Sequence, residues 1–375
     1  MIFLVCTIIY LSGLGYFYTQ VTSLESERTH LEHVIWRALL IMMGLCAVAC
    51  FATFSQNIFY GILQSINLLV VHMMWVQPLM VFSVLGVLFV TRRTLLKQAS
   101  WRALVPCVMV TAVSILGLWS TRIEPYWLDV VHASHSLHKN KTTFARPLTV
   151  AILADLQNDS VGSFQQEILQ EVREQQPDMI LIPGDLYDTE QAEQRIAEFQ
   201  RFLSQLHAPL GVFMVVGDHD RLPVLRTMTQ GTDVHVLDNT RAYINTQGKT
   251  VEVIGLSSSD RSSYQLAMQQ SPPPPENHVD VRIALVHRPR YVLNLKPEDQ
   301  IDLVVSGHTH GGQINIPLFG PPVTLSPLPR EVAAGGLHHL DSGSVYISRG
   351  LGGVQHMVPL IRFNCRPELT LLTIE

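Results

Sequence analysis

The stretch LTVAILADLQ, Leu148–Gln157, sets the reading of this chain. A β-branched, apolar run ends abruptly at Asp155, and Gln157 follows two residues later. The same figure returns downstream. MILI ends in Pro183-Gly184-Asp185, within PGDLYD, and GVFMVV ends in Gly217-Asp218-His219-Asp220. Between the first two runs lies SFQQEILQEVREQ, in which Phe164, Ile168, Leu169 and Val172 recur on one helical face. Ser163 with Gln166 fits a capping box, and Pro177 stops the helix. A second helix is expected over Glu190–Leu206, with Ile196, Phe199, Leu203 and Leu206 as its stripe. Strand–helix–strand–helix–strand implies parallel pairing through right-handed crossovers.

Further strands are expected at VHVL, AYIN, VEVIGL, VRIALV, DLVVS, SVYIS and LTLLTI. Their spacing predicts a second, mixed sheet. SSSDRSS and SPPPPENH read as loops. Two more strand ends carry imidazoles: His287 after VRIALV, and His308 with His310 after DLVVS. Ligands of open α/β sheets bind beyond the carboxyl ends of strands. Five strand ends thus deliver carboxylates and imidazoles to one edge. A lone Asp there is ordinarily a turn residue or cap. Three converging carboxylates, however, repel unless a cation joins them. A divalent pair sharing a bridging carboxylate answers that problem with this mixture of oxygen and nitrogen donors. Glycines at 184, 217, 307, 311 and 312 let the backbone turn tightly and leave room for a substrate.

Upstream the character changes. From Met1 to about Trp119 the chain is apolar with few charges. Crossing a bilayer takes about 20 helical residues. Four segments qualify: Met1–Tyr18, Val34–Phe54, one within Ile58–Val90 that bends at Gln77-Pro78, and Leu104–Trp119. The first lacks the basic start and small-residue cleavage site of a signal peptide. An N-terminal transmembrane bundle of about four helices is therefore expected over 1–121, a juxtamembrane linker over 122–146, and an α/β domain over 147–375. Arg92, Arg93, Lys97 and Arg102 crowd one short loop. By the positive-inside rule that loop is cytoplasmic, which puts the C-terminal domain outside a cytoplasmic (inner) membrane. His132, His135 and His138 in the linker suit either a metal-binding tract or a solvated linker. Cys365 is the one cysteine downstream of the apolar third, so the α/β domain has no internal disulfide. A net charge of −5 without a basic stripe disfavours nucleic acid.

The ordered blocks DLQ, GDLYD, GDHD, HRP and GHTHGGQ resemble the calcineurin-like metallophosphoesterase superfamily, whose usual signature is DxH, GDxxD, GNHD or GNHE, an isolated His, and GHxH. The resemblance spans Leu148–Glu375. SVYISRGLGG and PLIRFNCRPEL, behind a multi-pass N-terminus, are similar to its membrane-anchored branch. The resemblance implies a four-layer αββα sandwich and two divalent ions (Mn, Fe, Zn or Mg). It implies that Asp155, Gln157, Asp185 and His310 hold the first ion. Asp185 bridges, and Asp218, His287 and His308 complete the second. His219 would act beside the phosphate as general acid or transition-state donor. Two positions depart from the pattern. Gln157 stands where the family usually has His, and Asp218 where it usually has Asn. Both carry a ligating oxygen, the first weaker toward transition metals and the second more negative.

The expected activity is two-metal hydrolysis of a phosphomonoester or phosphodiester, with a lipid-linked substrate in one reading. A UDP-diacylglucosamine-type pyrophosphate is a second reading, although such substrates face the cytoplasm, against the charge pattern. A metal-holding binding domain with little turnover is a third, prompted by Gln157 and Asp218. Arg349 suits either a phosphate contact or a structural pairing.

Overall fold

The computed structural model describes residues 112 and 115–375, other than 138–143, 159, 189–191, 275–277 and 354–359. The chain divides into Met1–Thr121 with Met357–Pro359, and Arg122–His356 with Leu360–Glu375. The transmembrane bundle expected over 1–121 lies almost wholly outside the described residues. Among the described residues no helix is long and apolar enough to cross a membrane.

The second unit is built in chain order as follows. β1 (Asp129–His135) precedes β2 (Leu148–Ile152), α1 (Ser163–Gln175) and β3 (Met179–Ile182). Then come α2 (Ile196–Leu203), β4 (Val212–Met214), α3 (Leu222–Met228), β5 (Val234–Val236), β6 (Thr240–Thr246) and β7 (Lys249–Leu256). α4 (Arg261–Gln270), β8 (Val281–Val286), β9 (Leu303–Ser306), α5 (Arg330–Ala333), β10 (Gly336–Leu340), β11 (Gly343–Ile347) and β12 (Glu368–Ile374) complete it.

Two six-stranded sheets result. One runs β1-β12-β2-β3-β4-β5 and the other β10-β11-β9-β8-β7-β6. β2 to β5 are parallel, as the crossovers require, and β12 lies antiparallel beside β2 and parallel to β1. In the second sheet β7, β8, β9 and β11 are parallel, with antiparallel hairpin partners at both edges.

Strand periodicity sorts the apolar side chains into layers. Val150, Ile152, Leu181, Phe213, Ile283 and Val305 meet between the sheets. Ala151, Ile180, Ile182, Val212 and Met214 face outward against Phe164, Ile168 and Val172 of α1 and Phe199, Phe202 and Leu203 of α2. Ala284, Val286, Val304 and Ile347 face the other way, against Ala267 of α4 and Val332 and Ala333 of α5. Helix, sheet, sheet, helix is the four-layer sandwich expected.

Several local expectations are corrected. α1 is capped one residue earlier than Ser163. Gly162 is the N-cap, and its N–H donates to Gln165 Oε1 at 2.7 Å. Glycine has no side chain to return, so only half a capping box forms. The second helix, expected from Glu190, runs from Ile196 after a 3₁₀ turn over Ala192–Arg195; Glu190 itself lies outside the described residues. SSSDRSS is loop only to Asp260, the N-cap residue, and α4 starts at Arg261. The segment 122–146, expected as linker, carries β1, which pairs with β12 from Asp129↔Glu368 to His135↔Ile374. His132 and His135, three apart on a strand, fall on opposite faces. His132 is exposed and His135 buried, so these two do not face one ion; His138 lies outside the described residues.

Candidate metal centre

Every sequence-nominated residue lies just beyond a strand end. Asp155 and Gln157 follow β2, and Asp185 follows β3. Asp218 and His219 follow β4, His287 follows β8, and His308 and His310 follow β9. Five of them adopt left-handed backbone: Asp155 (φ 49°), Gln157 (37°), Asp185 (55°), His308 (72°) and His310 (50°). For residues with a Cβ this costs on the order of 1 kcal/mol each and accumulates where a site over-determines the chain. Two glycines show what the packing demands. A Cβ on Gly217 would stand 2.1 Å from Asp185 Oδ1, and one on Gly307 would stand 2.4 Å from Asp155 Oδ2.

The side chains meet. Donor atoms of Asp218, His287 and His308 lie within 4.8 Å of one another, as do those of Asp155, Asp185 and His287. His308 Nδ1 is 3.0 Å from Asp218 Oδ2 and 3.3 Å from His287 Nε2. His287 Nε2 is 3.4 Å from Asp185 and 3.6 Å from Asp218. Backbone partners set the imidazole tautomers. His287 Nδ1–H donates to the Pro183 carbonyl at 2.9 Å, and His308 Nε2–H donates to the Leu325 carbonyl at 3.0 Å. The nitrogens left over are the two that face each other and Asp218. Such backbone acceptors are the usual orienting partners of metal-binding histidines.

Asp155 receives the His308 N–H on both oxygens at 3.0 Å. Gln157 Nε2–H donates to Asp185 Oδ2 at 2.8 Å, which leaves its carbonyl oxygen turned elsewhere. That Gln157 Oε1 is buried without a hydrogen-bond partner, and so is His310 Nδ1. His310 belongs to neither close group, yet it is 2% exposed. An orphaned carbonyl oxygen and an orphaned imidazole nitrogen, beside three carboxylates, are the donor chemistry a divalent cation completes.

The charges tell the same story. Burial pushes the Asp155 carboxyl up to about 7; His287 opposes this and the Asp185 charge adds to it. Burial disfavours charge on His287 as well, but Asp185, Asp218 and Asp155 overcome it and raise the imidazole to about 10. Burial, then the charges of Arg362, His308, His287 and His219, hold His310 well below its ordinary value, in the neutral form a metal needs. Asp218 is the reverse of Asp155. Burial opposes its ionisation, but hydrogen bonds with His287, His308 and Arg288 hold it far below the usual carboxylate range.

Three further partners had no role assigned to them from the sequence. Arg288, in HRP, donates through Nε to both oxygens of Asp218 at 2.9 and 3.0 Å. The extra negative charge at 218 is therefore met by a guanidinium 70 residues away. Asp188, the last residue of GDLYD, is buried beside His219. His219 Nδ1–H donates to the Asp188 carbonyl at 3.1 Å, and the Asp188 carboxylate is 3.7 Å away. Asp220 accepts three backbone N–H bonds, from Asp185, Gly217 and Leu186, and so ties the second and third strand ends together. Arg349 makes ion pairs with Glu368 and Asp129, the structural pairing rather than a phosphate contact. Beside Asp218 and His287 opens a cavity of about 220 Å³, lined also by Ser257–Ser259, Arg288 and Arg290.

Compared with known proteins, residues 148–312 match the family model for calcineurin-like phosphoesterases. Phosphodiesterase YaeI of Escherichia coli (strain K12) is 29% identical over 263 residues, covering 67% of this chain and 90% of that protein. An uncharacterized metallophosphoesterase of Bacillus subtilis (strain 168), YkuE, is 31% identical over 217 residues, covering 54% of this chain and 70% of that one. UDP-2,3-diacylglucosamine pyrophosphatase LpxG of Chlamydia trachomatis serovar D is 24% identical over 322 residues, covering 70% of this chain and 94% of that protein.

Proposed function

Since this chain belongs to the calcineurin-like phosphoesterase family and is a hydrolase acting on phosphate esters, we propose that it is a membrane-anchored, two-metal phosphohydrolase of a phosphodiester or phosphomonoester. The observation that carries the two-metal reading is the pair of interlocked donor groups flanked by the orphaned Gln157 Oε1 and His310 Nδ1. Asp155, Gln157, Asp185 and His310 would hold one ion. Asp185, Asp218, His287 and His308 would hold the other. His287 approaches Asp155 as well, but through Nδ1, whose N–H is already donated to the Pro183 carbonyl. Its free Nε2 belongs with Asp218 and His308. When bound, such a divalent pair would acidify a water and offset charge on the phosphoryl oxygens.

The remaining work falls to the chain. His219, its Nδ1–H held by Asp188, keeps Nε2 as the nitrogen that carries a proton toward the leaving oxygen. The Asp188 carboxylate steadies the imidazolium that this requires. Asp220 fixes the Asp185 and Asp218 loops in register. Arg288 balances Asp218, so the departure from Asn does not leave an uncompensated charge at the second ion. The reading of a binding domain with little turnover loses its main motive there. The apolar segments before residue 121 would serve as the anchor, and the basic loop at 92–102 favours an extracytoplasmic catalytic domain.

The test uses the full chain. Bound metal is counted, and hydrolysis of chromogenic phosphodiester and monoester substrates is followed with added Mn, beside His219→Ala and His310→Ala. Turnover should vanish in both, with metal lost mainly from His310→Ala. Two bound ions with no hydrolysis of any phosphate would sink the proposal. A second reading is a lipid-linked pyrophosphate substrate. It is favoured by the likeness to the pyrophosphatase LpxG, which reaches over 94% of that protein. Release of UMP from UDP-2,3-diacylglucosamine separates the two.

A further inference from the structure

Past His310 the chain leaves the metal centre and turns back on itself. Ile316 N–H donates to the Gly320 carbonyl at 3.1 Å, and the Phe319 and Gly320 N–H groups return to the Ile316 carbonyl at 3.0 and 2.8 Å. The tip is apolar and out in solvent. Leu318 is 110% exposed, Phe319 57%, Ile316 42% and Val323 37%. Leu318 also sits at φ 69°. A turn needing only that backbone would take Gly or Asn. Leucine there bears the left-handed penalty and receives no burial within the fold.

The hairpin does not stand alone. Its base is tied to the chain after residue 360: Asn315 N–H donates to the Phe363 carbonyl at 2.8 Å, and Asn364 Nδ2–H to the Asn315 carbonyl at 3.3 Å. Two residues on, the Cys365 N–H donates to the Glu124 carboxylate, and the Arg366 guanidinium stacks 3.7 Å over the Trp127 ring. Ile123, Tyr126 and Trp127 are exposed in turn. One ribbon therefore joins the hairpin tip to the first residues of this unit, and both ends present apolar or aromatic side chains. Arginines flank them, Arg366 on Trp127 and Arg330 4.6 Å over Phe319. The polypeptide also reaches this unit directly from the apolar stretch that ends near Trp119.

We propose that this ribbon is a lipid-contact face, and that the Ile316–Gly320 hairpin inserts into the interfacial layer of a bilayer beside the metal centre. Apolar tips rimmed by arginine and backed by tryptophan and tyrosine are the chemistry of that layer, with anionic headgroups matching the arginines. The ribbon reaches both histidines that follow β9. His308 Nε2–H donates to the Leu325 carbonyl at 3.0 Å, and Cys365 Sγ–H to the His310 carbonyl at 3.3 Å. Insertion would thus set the centre at headgroup height, where a phosphate ester carried by a lipid is met without leaving the bilayer. The membrane contact itself does not depend on which ester is cut.

The full chain is reconstituted into phosphatidylcholine–phosphatidylglycerol vesicles with an environment-sensitive thiol dye on Leu318→Cys. The identically treated parent supplies the background from native cysteines, and Gln170→Cys on α1 supplies an exposed control. Quenching by lipids bearing a nitroxide on the acyl chain should be at least roughly two-fold greater at Leu318→Cys than at Gln170→Cys. Equal quenching, in protein that floats with the vesicles, overturns the proposal. So does protein that fails to float. A dye shift that grows with the protein-to-lipid ratio instead assigns the face to a second copy of the chain. Leu318→Asp with Phe319→Asp keeps the two questions apart. It should lower hydrolysis of a vesicle-borne phosphodiester about ten-fold, while a soluble chromogenic diester is cut at the parent rate. Loss on both substrates would mean that the hairpin shapes the catalytic centre rather than its contact with lipid.

Discussion

Gly307→Ala removes no ligand, no charge and no hydrogen bond, yet under the two-ion proposal it should cost the protein one of the two ions. The new methyl would stand 2.4 Å from Asp155 Oδ2, 2.9 Å from Asp155 Cγ and 3.0 Å from the Ala154 side chain. Real Cβ atoms essentially never come nearer than 3.0 Å to a neighbour, so the carboxylate must retreat by about 0.6 Å or more. Asp155 is fully buried and held by the His308 N–H through both oxygens, so it has no easy direction of retreat. Metal–ligand distances tolerate only about ±0.2 Å. The forced shift exceeds that window about three-fold. We expect affinity at the Asp155 ion to fall roughly 10–100-fold, the range seen when support around a metal ligand is lost. Stability should fall by about 1–3 kcal/mol, as for an overpacked core position. Metal content of dialysed protein should drop from two ions to about one, with turnover falling alongside and recovering in excess Mn. Gly162→Ala is the matched control, since its nearest neighbour would be Gln165 Oε1 at 3.5 Å. A Gly307→Ala protein that keeps both ions at parental affinity would refute the placement of Asp155 as a ligand pressed against this backbone.

Other outcomes follow from the same geometry. Asp218→Asn and Arg288→Gln should each weaken the second ion, while the double variant recovers most of the loss. The pair is half-exposed, so a coupling of about 0.5–1 kcal/mol from a metal-affinity cycle is expected, and strict additivity would exclude the pairing. Asp188→Asn should leave both ions bound but lower kcat and shift the limb of its pH profile that reports the acid, whereas His219→Ala should lose about 10²–10⁴-fold; equal, pH-independent losses would count against the positioning role. In the metal-free protein Asp155, raised to about 7, contributes stability at low pH that is lost as pH rises through 7. His287, raised to about 10, likewise contributes below its ordinary range and is lost toward 10. Both losses have the same sign, so the gap in Tm between Mn-loaded and chelated protein should widen from pH 5 to pH 8. A flat gap would mean that these groups do not face the ions.

The parallel strands β2, β3 and β4 and their crossover helices could be read directly, because each buries a β-branched run between Gly, Pro and Asp punctuation. Edge elements could not. β1 reads DVVHASH, with polar residues on both faces, and only the strongly apolar β12 beside it makes it a strand. β10, with His338 and His339 in its middle, is carried in the same way by β11. α3 and α5 are 7 and 4 residues long, too short for a helical stripe to show. The insertion of β12, the last strand, between β1 and β2 has no local signal at all.

What the amino-acid sequence determined by itself is the kind and order of the chemical groups. Carboxylates and imidazoles end five apolar runs, and strand geometry sends strand ends to one edge. What only the tertiary structure decided is how each group is charged and aimed. Asp155 and Asp218 are the same residue type at like positions, yet one is pushed toward protonation and the other held ionised. The difference lies in Arg288, His287 and His308, which are 69 to 90 residues from Asp218 along the chain and within 3.6 Å of it in space. Electrostatic and hydrogen-bond energies fall off over a few ångströms. Sequence separation therefore carries no information about them until the chain has folded and the distances exist.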